Sequence, residues 1–427
     1  MTPRLRRSSS SRTWFLPADL RAPLLAGVGV FVSAWLFVSY VPVFGKWLYG
    51  DVRFYETWGT LMANHAVPYR DFNIEYPPGA LITFIAPTYL RKLAGYHGTY
   101  YFWFRVELLV IGIAVLIAMA WALECLGASR RRAFWALCVA GISPALLGPI
   151  AFSRYDYLPA LLAVAAVAAL AAKRPTLACA FAGLGAATKV YPAVLVPLAL
   201  IELWRANGAR AVARGVAATI AAVAAVCGAL VAVAPHGVSW ALHRQLVRPL
   251  QIESLPAALF AVAHVIGGLH VHVAKRAGSD NLIGSGPDLA ATLSGIATVA
   301  AVAAVYVLYA RSNRSREQLV VSSVAAVTAY VAFSKVFSPQ YLVWLIPLVP
   351  LVGGRRGVRA AALLVVILAM TQIWEPYHYG EYFKTLAPWL VTLVFVRDLL
   401  VVALLAVLLW PSGGDADELD RGRPAVV

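Results

Sequence analysis

Apolar runs of about twenty residues recur along this chain, separated by short clusters of arginine, and a run of that length matches a hydrocarbon core of about 30 Å. Residues 106–123, 288–309 and 387–410 are the clearest. With 61% hydrophobic and 13% charged residues, the chain carries more apolar faces than one water-soluble core needs to bury. Its alanine and leucine content favours helix, and open sheet edges are excluded from lipid. The expected fold is therefore an all-α polytopic membrane protein. Its few polar intramembrane residues are the places to look for function.

The arginines set an orientation. Arg130–Arg132, Lys173-Arg174, Arg205/Arg210/Arg214, Arg311/Arg314/Arg316 and Arg355/Arg356/Arg359 form short basic loops, and Arg4, Arg6, Arg7 and Arg12 precede the first apolar segment. Placing all of them in the cytoplasm satisfies the positive-inside rule with one topology. The formal charge of +16 then describes loops facing anionic membrane lipids. It does not indicate a nucleic-acid partner, because no motif or stacking platform accompanies the basic residues.

That orientation predicts spans at 23–45, 100–124, 133–150, 157–172, 175–189, 190–204, 215–234, 288–309, 318–334, 337–352, 357–374 and 387–410. The expected count is about twelve, within ten to thirteen, because several are short for a full crossing. One transmembrane domain, 23–410, lies between cytoplasmic tails at 1–22 and 411–427, with outer loops at about 46–99 and 235–287. Segment 78–92 reads as a helix on the outer surface, begun by Pro77-Pro78 and ended by Arg91-Lys92. Segment 254–272 is also apolar, but counting it alone as a span would put the 311–316 arginines outside. No spacing of Cys125, Cys138, Cys179 and Cys227 suggests a metal site or a disulfide framework. No internal repeat is evident, which speaks against a transporter.

On this topology the informative polar residues gather on the outer side. They include Asp51, Glu75-Tyr76, Arg154, Asp156, Lys189, Tyr191, Arg244, Arg248, Glu253, Lys335, Gln340, Glu375, His378 and Glu381. Cations suit a phosphate-bearing substrate whose tail stays in lipid, and a carboxylate can take a proton from an attacking hydroxyl. No glycine-rich nucleotide loop follows a strand, and no ligand set announces a metal or other cofactor. Sugar transfer from a lipid-linked donor fits that inventory.

Several segments also carry a family pattern: Asp51-Val52-Arg53-Phe54-Tyr55, Tyr69-Arg70-Asp71-Phe72, Glu75-Tyr76-Pro77-Pro78, Arg154-Tyr155-Asp156, Thr188-Lys189-Val190-Tyr191-Pro192 and Phe337-Ser338-Pro339-Gln340-Tyr341. In that order the chain resembles the bacterial polyprenyl-phosphate-mannose-dependent mannosyltransferases, glycosyltransferase family 87 of the GT-C superfamily. That family includes the phosphatidylinositol-mannoside mannosyltransferases of actinobacteria. The resemblance implies a helical membrane fold, an outward site and a catalytic acidic residue soon after the first span, which is Asp51 here. It also implies a polyprenyl-phosphate-linked sugar as donor and a glycolipid or glycan hydroxyl as acceptor. The expected reaction is a single displacement with inversion, Asp51 serving as base. Glu75, Tyr76, Arg154, Asp156, Lys189, Tyr191, Arg244, Arg248, Lys335 and Gln340 are the expected substrate-binding residues.

Most of these residues have a structural alternative. Asp51 is placed to cap a helix, Glu75 to fix the turn before two prolines, and Glu253 to cap the helix after it. Arg154 and Asp156 are close enough in sequence to pair with each other. Lys189 must reach the interface or a partner. Lys335, Arg244 and Arg248 have lipid headgroups as rival contacts, and Gln340 and Tyr341 have the interface. Arg397-Asp398, inside the last span, most simply neutralise each other. The rival function, a transporter or flippase of lipid-linked sugars, needs access from both sides, whereas these charges gather on one.

Overall fold

The computed structural model of the chain describes residues 18–45, 49–276, 278–312 and 315–410. The expected C-terminal tail and all but the last few residues of the N-terminal tail lie outside them. Helix α1 (Ala18–Tyr40) and the single turn α2 (Pro42–Gly45) lead to α3 (Val52–Ala63) and α4 (Leu81–Leu93). Long helices follow: α5 (Tyr100–Cys125) and α6 (Arg130–Leu147), then the turn α7 (Pro149–Phe152), α8 (Tyr157–Ala171) and α9 (Pro175–Thr188). Side-chain caps start two of them: Thr99 accepts from the Phe102 amide and Ser129 from the Arg132 amide, satisfying donors that a helix start leaves open. Pro175 stands where its missing N–H costs nothing.

Helix α10 (Val196–Val233) is bent at Asn207 and Gly208, whose φ of −147° and 63° leave the helical region. The bend falls inside the Arg205–Arg214 loop expected between two spans. Helix α11 (Pro235–Leu246), strand β1 (Leu250–Gln251), helix α12 (Leu255–Gly267) and strands β2 (His272–Arg276) and β3 (Ser279–Ile283) come next. The strands form an antiparallel sheet ordered β1-β3-β2, with Leu250 opposite Leu282 and Val273 opposite Leu282 on the other edge. This sheet is an addition to the helical expectation. Helices α13 (Ser285–Arg311), α14 (Arg316–Phe333), the turn α15 (Leu342–Leu345), α16 (Gly354–Trp374), α17 (Tyr379–Thr385) and α18 (Pro388–Leu409) complete the order.

Segment 337–352 is not the continuous helix expected. It consists of 3₁₀ turns at Pro339–Tyr341 and Val349–Leu351 flanking α15, and nearly all of it is buried. Pro347 and Pro350 remove two amide donors and clash with the preceding turn, so a regular helix cannot pass through. Irregular backbone of this kind is tolerated at membrane depth only when protein covers it.

Helices α8 and α14 are buried nearly all round, as helices without a polar face should be, and the others surround them. Close approaches depend on small residues. A Cβ at Gly141 of α6 would lie 2.7 Å from the Gly27 carbonyl oxygen of α1, so only glycine allows this contact. Among the described residues, six helical segments are long and apolar enough to cross a membrane: Asp19–Tyr40, Tyr100–Cys125, Tyr191–Val233, Ser285–Arg311, Gly354–Trp374 and Pro388–Leu409. Outward apolar side chains such as Leu289, Leu293, Ile296 and Val299 on α13 suit contact with lipid. The chain is a multi-pass membrane protein by these criteria.

At one end of the bundle, arginines tie helix ends together. Arg132 forms a forked pair with Glu317 and donates to the Leu351 carbonyl at 2.8 Å. Arg205 and Arg316 donate to the Ala310 and Cys125 carbonyls, each at 2.6 Å. The other end carries the cavity.

Candidate active site

Asp51 stands where α3 begins, yet its side chain makes no capping bond. It turns inward instead: Oδ2 lies 3.1 Å from Arg154 Nε and accepts from the Tyr76 hydroxyl at 3.4 Å. Gly50 makes room for this. Its φ is 32°, and a Cβ there would stand 2.3 Å from Arg154 Nη1. Arg154 is in the turn between α7 and α8 and also donates to the Ser153 carbonyl at 3.0 Å. Burial works against its charge, but Asp51, then Tyr55 and Tyr76, more than offset that and hold the guanidinium above its ordinary range.

Tyr76 is fixed from several sides. Its carbonyl accepts from the Tyr69 hydroxyl at 2.7 Å, and its ring lies 5.3 Å from Tyr155 and 5.5 Å from Phe84, both edge-on. Burial and then the Asp51 carboxylate push its phenol up, so it remains a donor.

The Arg154–Asp156 pairing does not occur. Asp156, only 1% exposed, accepts from Lys189 Nζ and from Trp344 Nε1 on the same Oδ1, each at 2.6 Å. The Lys189 ammonium also lies over the faces of Tyr155, Tyr341 and Trp344, at 5.0, 5.2 and 5.1 Å. Tyr191 stacks on Trp344 at 3.9 Å. Glu75 pairs with Arg244 at 2.9 Å and Arg248 at 3.6 Å, tying the loop before Pro77 to α11. Lys335 donates to the Leu246 carbonyl at 2.7 Å, and burial lowers its ammonium. Gln340 accepts from the Ser338 hydroxyl.

One cavity of about 780 Å³ collects Asp51, Tyr76, Arg154, Lys189, Tyr191, Arg248, Lys335 and Gln340. Glu75, Asp156 and Arg244 do not line it; Glu75 holds Arg248 and Asp156 holds Lys189, which do, and Arg244 braces Glu75. Arg154, Lys189, Arg248 and Lys335, with Arg53 and Lys275, are its cations, and their shared placement suits a phosphate. Among the described residues, no three or more His, Cys, Asp and Glu side chains are grouped to hold a metal ion.

The cavity also has an acidic side that the expected set did not include, formed by Glu253, Asp280, Glu375 and Glu381. Glu375 follows α16, and Glu253 precedes α12 without capping it. Asp280 accepts from the Tyr379 hydroxyl at 2.7 Å. Burial, opposed by Arg154 and reinforced by Asp51, pushes the Glu375 carboxyl from 4.5 up to about 8. The folded state therefore holds a proton that the unfolded chain releases, and stability should fall as pH rises from about 4.5 to about 8. The Glu375 contribution is at most about 1.4 kcal/mol per unit of pH. Thermal unfolding of purified Glu375→Gln across that window should show a flatter pH dependence than the parent. An identical pH slope would mean Glu375 is ionised in the fold. The sequence signal was an acidic residue beside Pro376 at a helix end, which shows position but not burial.

A comparison with curated proteins finds no match. The family model of glycosyltransferase family 87 matches residues 74–339, well over half of the chain and most of the cavity lining, although Asp51 and Glu375 fall outside the match. With that match covering the chain from α4 through α14 and most of the cavity lining, the chain belongs to glycosyltransferase family 87.

Proposed function

We propose that this glycosyltransferase moves a mannosyl unit, or another hexosyl or pentosyl unit, from polyprenyl phosphate to a hydroxyl of a glycolipid or envelope glycan. The observation that carries this reading is Asp51, paired with Arg154 in a cavity also lined by Lys189, Arg248 and Lys335. The acceptor hydroxyl attacks the anomeric carbon and forms the new glycosidic bond. The bond from that carbon to the phosphate oxygen breaks, with its electron pair leaving on the phosphate. The acceptor proton passes to Asp51. The leaving group gains one negative charge in this step, so cations fixed around it favour the transition state over the bound donor. One displacement inverts the anomeric centre and requires one carboxylate.

The membrane placement belongs to the same proposal. About twelve crossings in the plasma membrane, with arginine-rich ends and both termini in the cytoplasm, put the cavity on the outer face. The arginine ties around Arg132, Arg205 and Arg316, at the end away from the cavity, support it.

The test is transfer by the purified chain in vesicles carrying labelled polyprenyl-phosphate-mannose and an extract of bacterial membrane lipids. The expected product is a labelled glycolipid or glycan whose mannose has the anomeric configuration opposite to the donor's. Transfer only from a nucleotide-linked sugar, or retention of configuration, would contradict the reading.

A further inference from the structure

Three buried oxygens on the acidic side of the cavity have no hydrogen-bond partner among the described residues: Gln251 Oε1, Glu253 Oε1 and Glu375 Oε2. Gln251 and Glu253 are 4% and 2% exposed, and all three residues line the cavity. Polar atoms this deeply buried are costly without partners, so native folds rarely leave three together unless something else supplies the donors.

The scaffold keeps them where they are. The Gln251 amide donates to the Lys335 carbonyl at 3.0 Å, and the Ile252 amide to the Asp280 carbonyl at 3.1 Å. Tyr382 of α17 donates to the Ile252 carbonyl at 2.9 Å, and Arg397 of α18 to the Glu253 carbonyl at 3.0 Å. Arg397 is itself held by Asp398 at 2.9 Å and by the Phe337 ring at 4.1 Å. The Gln251 amide group donates to the other Glu253 oxygen, which turns Oε1 of both residues toward remaining partners. Four elements thus fix a short backbone segment whose side chains offer acceptors into the cavity.

The Glu375 carboxyl keeps its proton up to about pH 8, so a ligand for such a patch must both donate and accept hydrogen bonds. The hydroxyls of an uncharged sugar do both, whereas a phosphate brings a negative charge that Gln251, Glu253 and Glu375 have no cation to pair. The sugar that must sit beside the base is the acceptor, whose attacking hydroxyl gives up its proton there. Glu375 interacts electrostatically with both Asp51 and Arg154, which sets the patch beside the proposed base.

We propose that Gln251, Glu253 and Glu375 form a subsite for the non-reacting hydroxyls of an uncharged acceptor sugar, holding its attacking hydroxyl toward Asp51. The proposal rests on the transferase reading above for the identity of the reacting group, whereas binding of the sugar is measurable without turnover.

The experiment is equilibrium binding to the purified full chain in lipid nanodiscs, without donor, by saturation-transfer NMR. The probes are methyl α-D-mannopyranoside, its four monodeoxy analogues and its 6-phosphate. At least one deoxy analogue should bind about tenfold more weakly than the parent glycoside, because its absent hydroxyl leaves a buried acceptor unpaired. The 6-phosphate should bind no better than the glycoside. In Glu253→Gln and Glu375→Gln, which keep side-chain shape, the penalty for that deoxy analogue should shrink to within about threefold. Equal binding of all analogues by the parent chain, an undiminished penalty in both variants, or no saturable binding of any glycoside would overturn the proposal. The first and last of these outcomes need no variant to fold. Sugar binding that follows the prediction in a chain that transfers nothing would retain the subsite and refute the transferase mechanism instead.

Discussion

Lys189→Met is expected to destabilise the fold by about 3–5 kcal/mol, the usual cost of removing one partner of a buried ion pair. Asp156 is almost fully buried, and its Oδ2 has no partner among the described residues. After the substitution only Trp344 would still donate to the carboxylate. The cost comes from the stranded charge more than from the lost attraction. Adding Asp156→Asn should therefore recover part of the stability, and the double variant should unfold at a higher temperature than Lys189→Met alone. Unfolding followed by Trp fluorescence in detergent checks both. A Lys189→Met chain as stable as the parent would show that the ion pair contributes little to the fold. Transfer is expected to be weak in the double variant despite its stability, because the cationic side of the cavity has then lost one member.

Much of the helical frame was legible because it depends on local chemistry. The expected 100–124 and observed Tyr100–Cys125 agree because Thr99 is a side-chain cap and the apolar run ends where Gly127 breaks it. The bend at Asn207-Gly208 fell inside an arginine-rich interval between two apolar runs. The sheet was not legible. Its strands are two to five residues long, their alternation is brief, and pairing of Leu250 with Leu282 depends on the α12 excursion between them. The breakdown of 337–352 was missed for a different reason. Hydropathy sees Leu342–Leu345 and Val349 as one run, whereas Pro347 and Pro350 act on the backbone.

The site was half legible. Topology grouped the outer-side charges but did not determine who pairs with whom. Asp156 lies two residues from Arg154, yet it binds Lys189 and Trp344, while Arg154 reaches back to Asp51. Adjacent turn residues point apart, and the partners come from helices brought together only by packing. Glu253 and Glu375 were visible as carboxylates on the cavity side. The burial of Glu253 depends on Arg397, Tyr382 and the sheet, none of which announces itself locally.

The central claim is that Asp51 takes the proton from the acceptor. The direct measurement is single-turnover transfer from polyprenyl-phosphate-mannose by the parent and by Asp51→Asn, at equal donor occupancy. Asparagine keeps the side-chain shape and an acceptor for the Tyr76 hydroxyl, while removing the basic oxygen that stands 3.1 Å from Arg154. General-base catalysis contributes about 10²–10⁴-fold, so the transfer rate should fall on the order of 10³-fold. The loss should appear in the rate of the bound complex, with the donor dissociation constant changed by less than about threefold. Transfer by Asp51→Asn at the parent rate would remove Asp51 from the proton transfer and contradict the account.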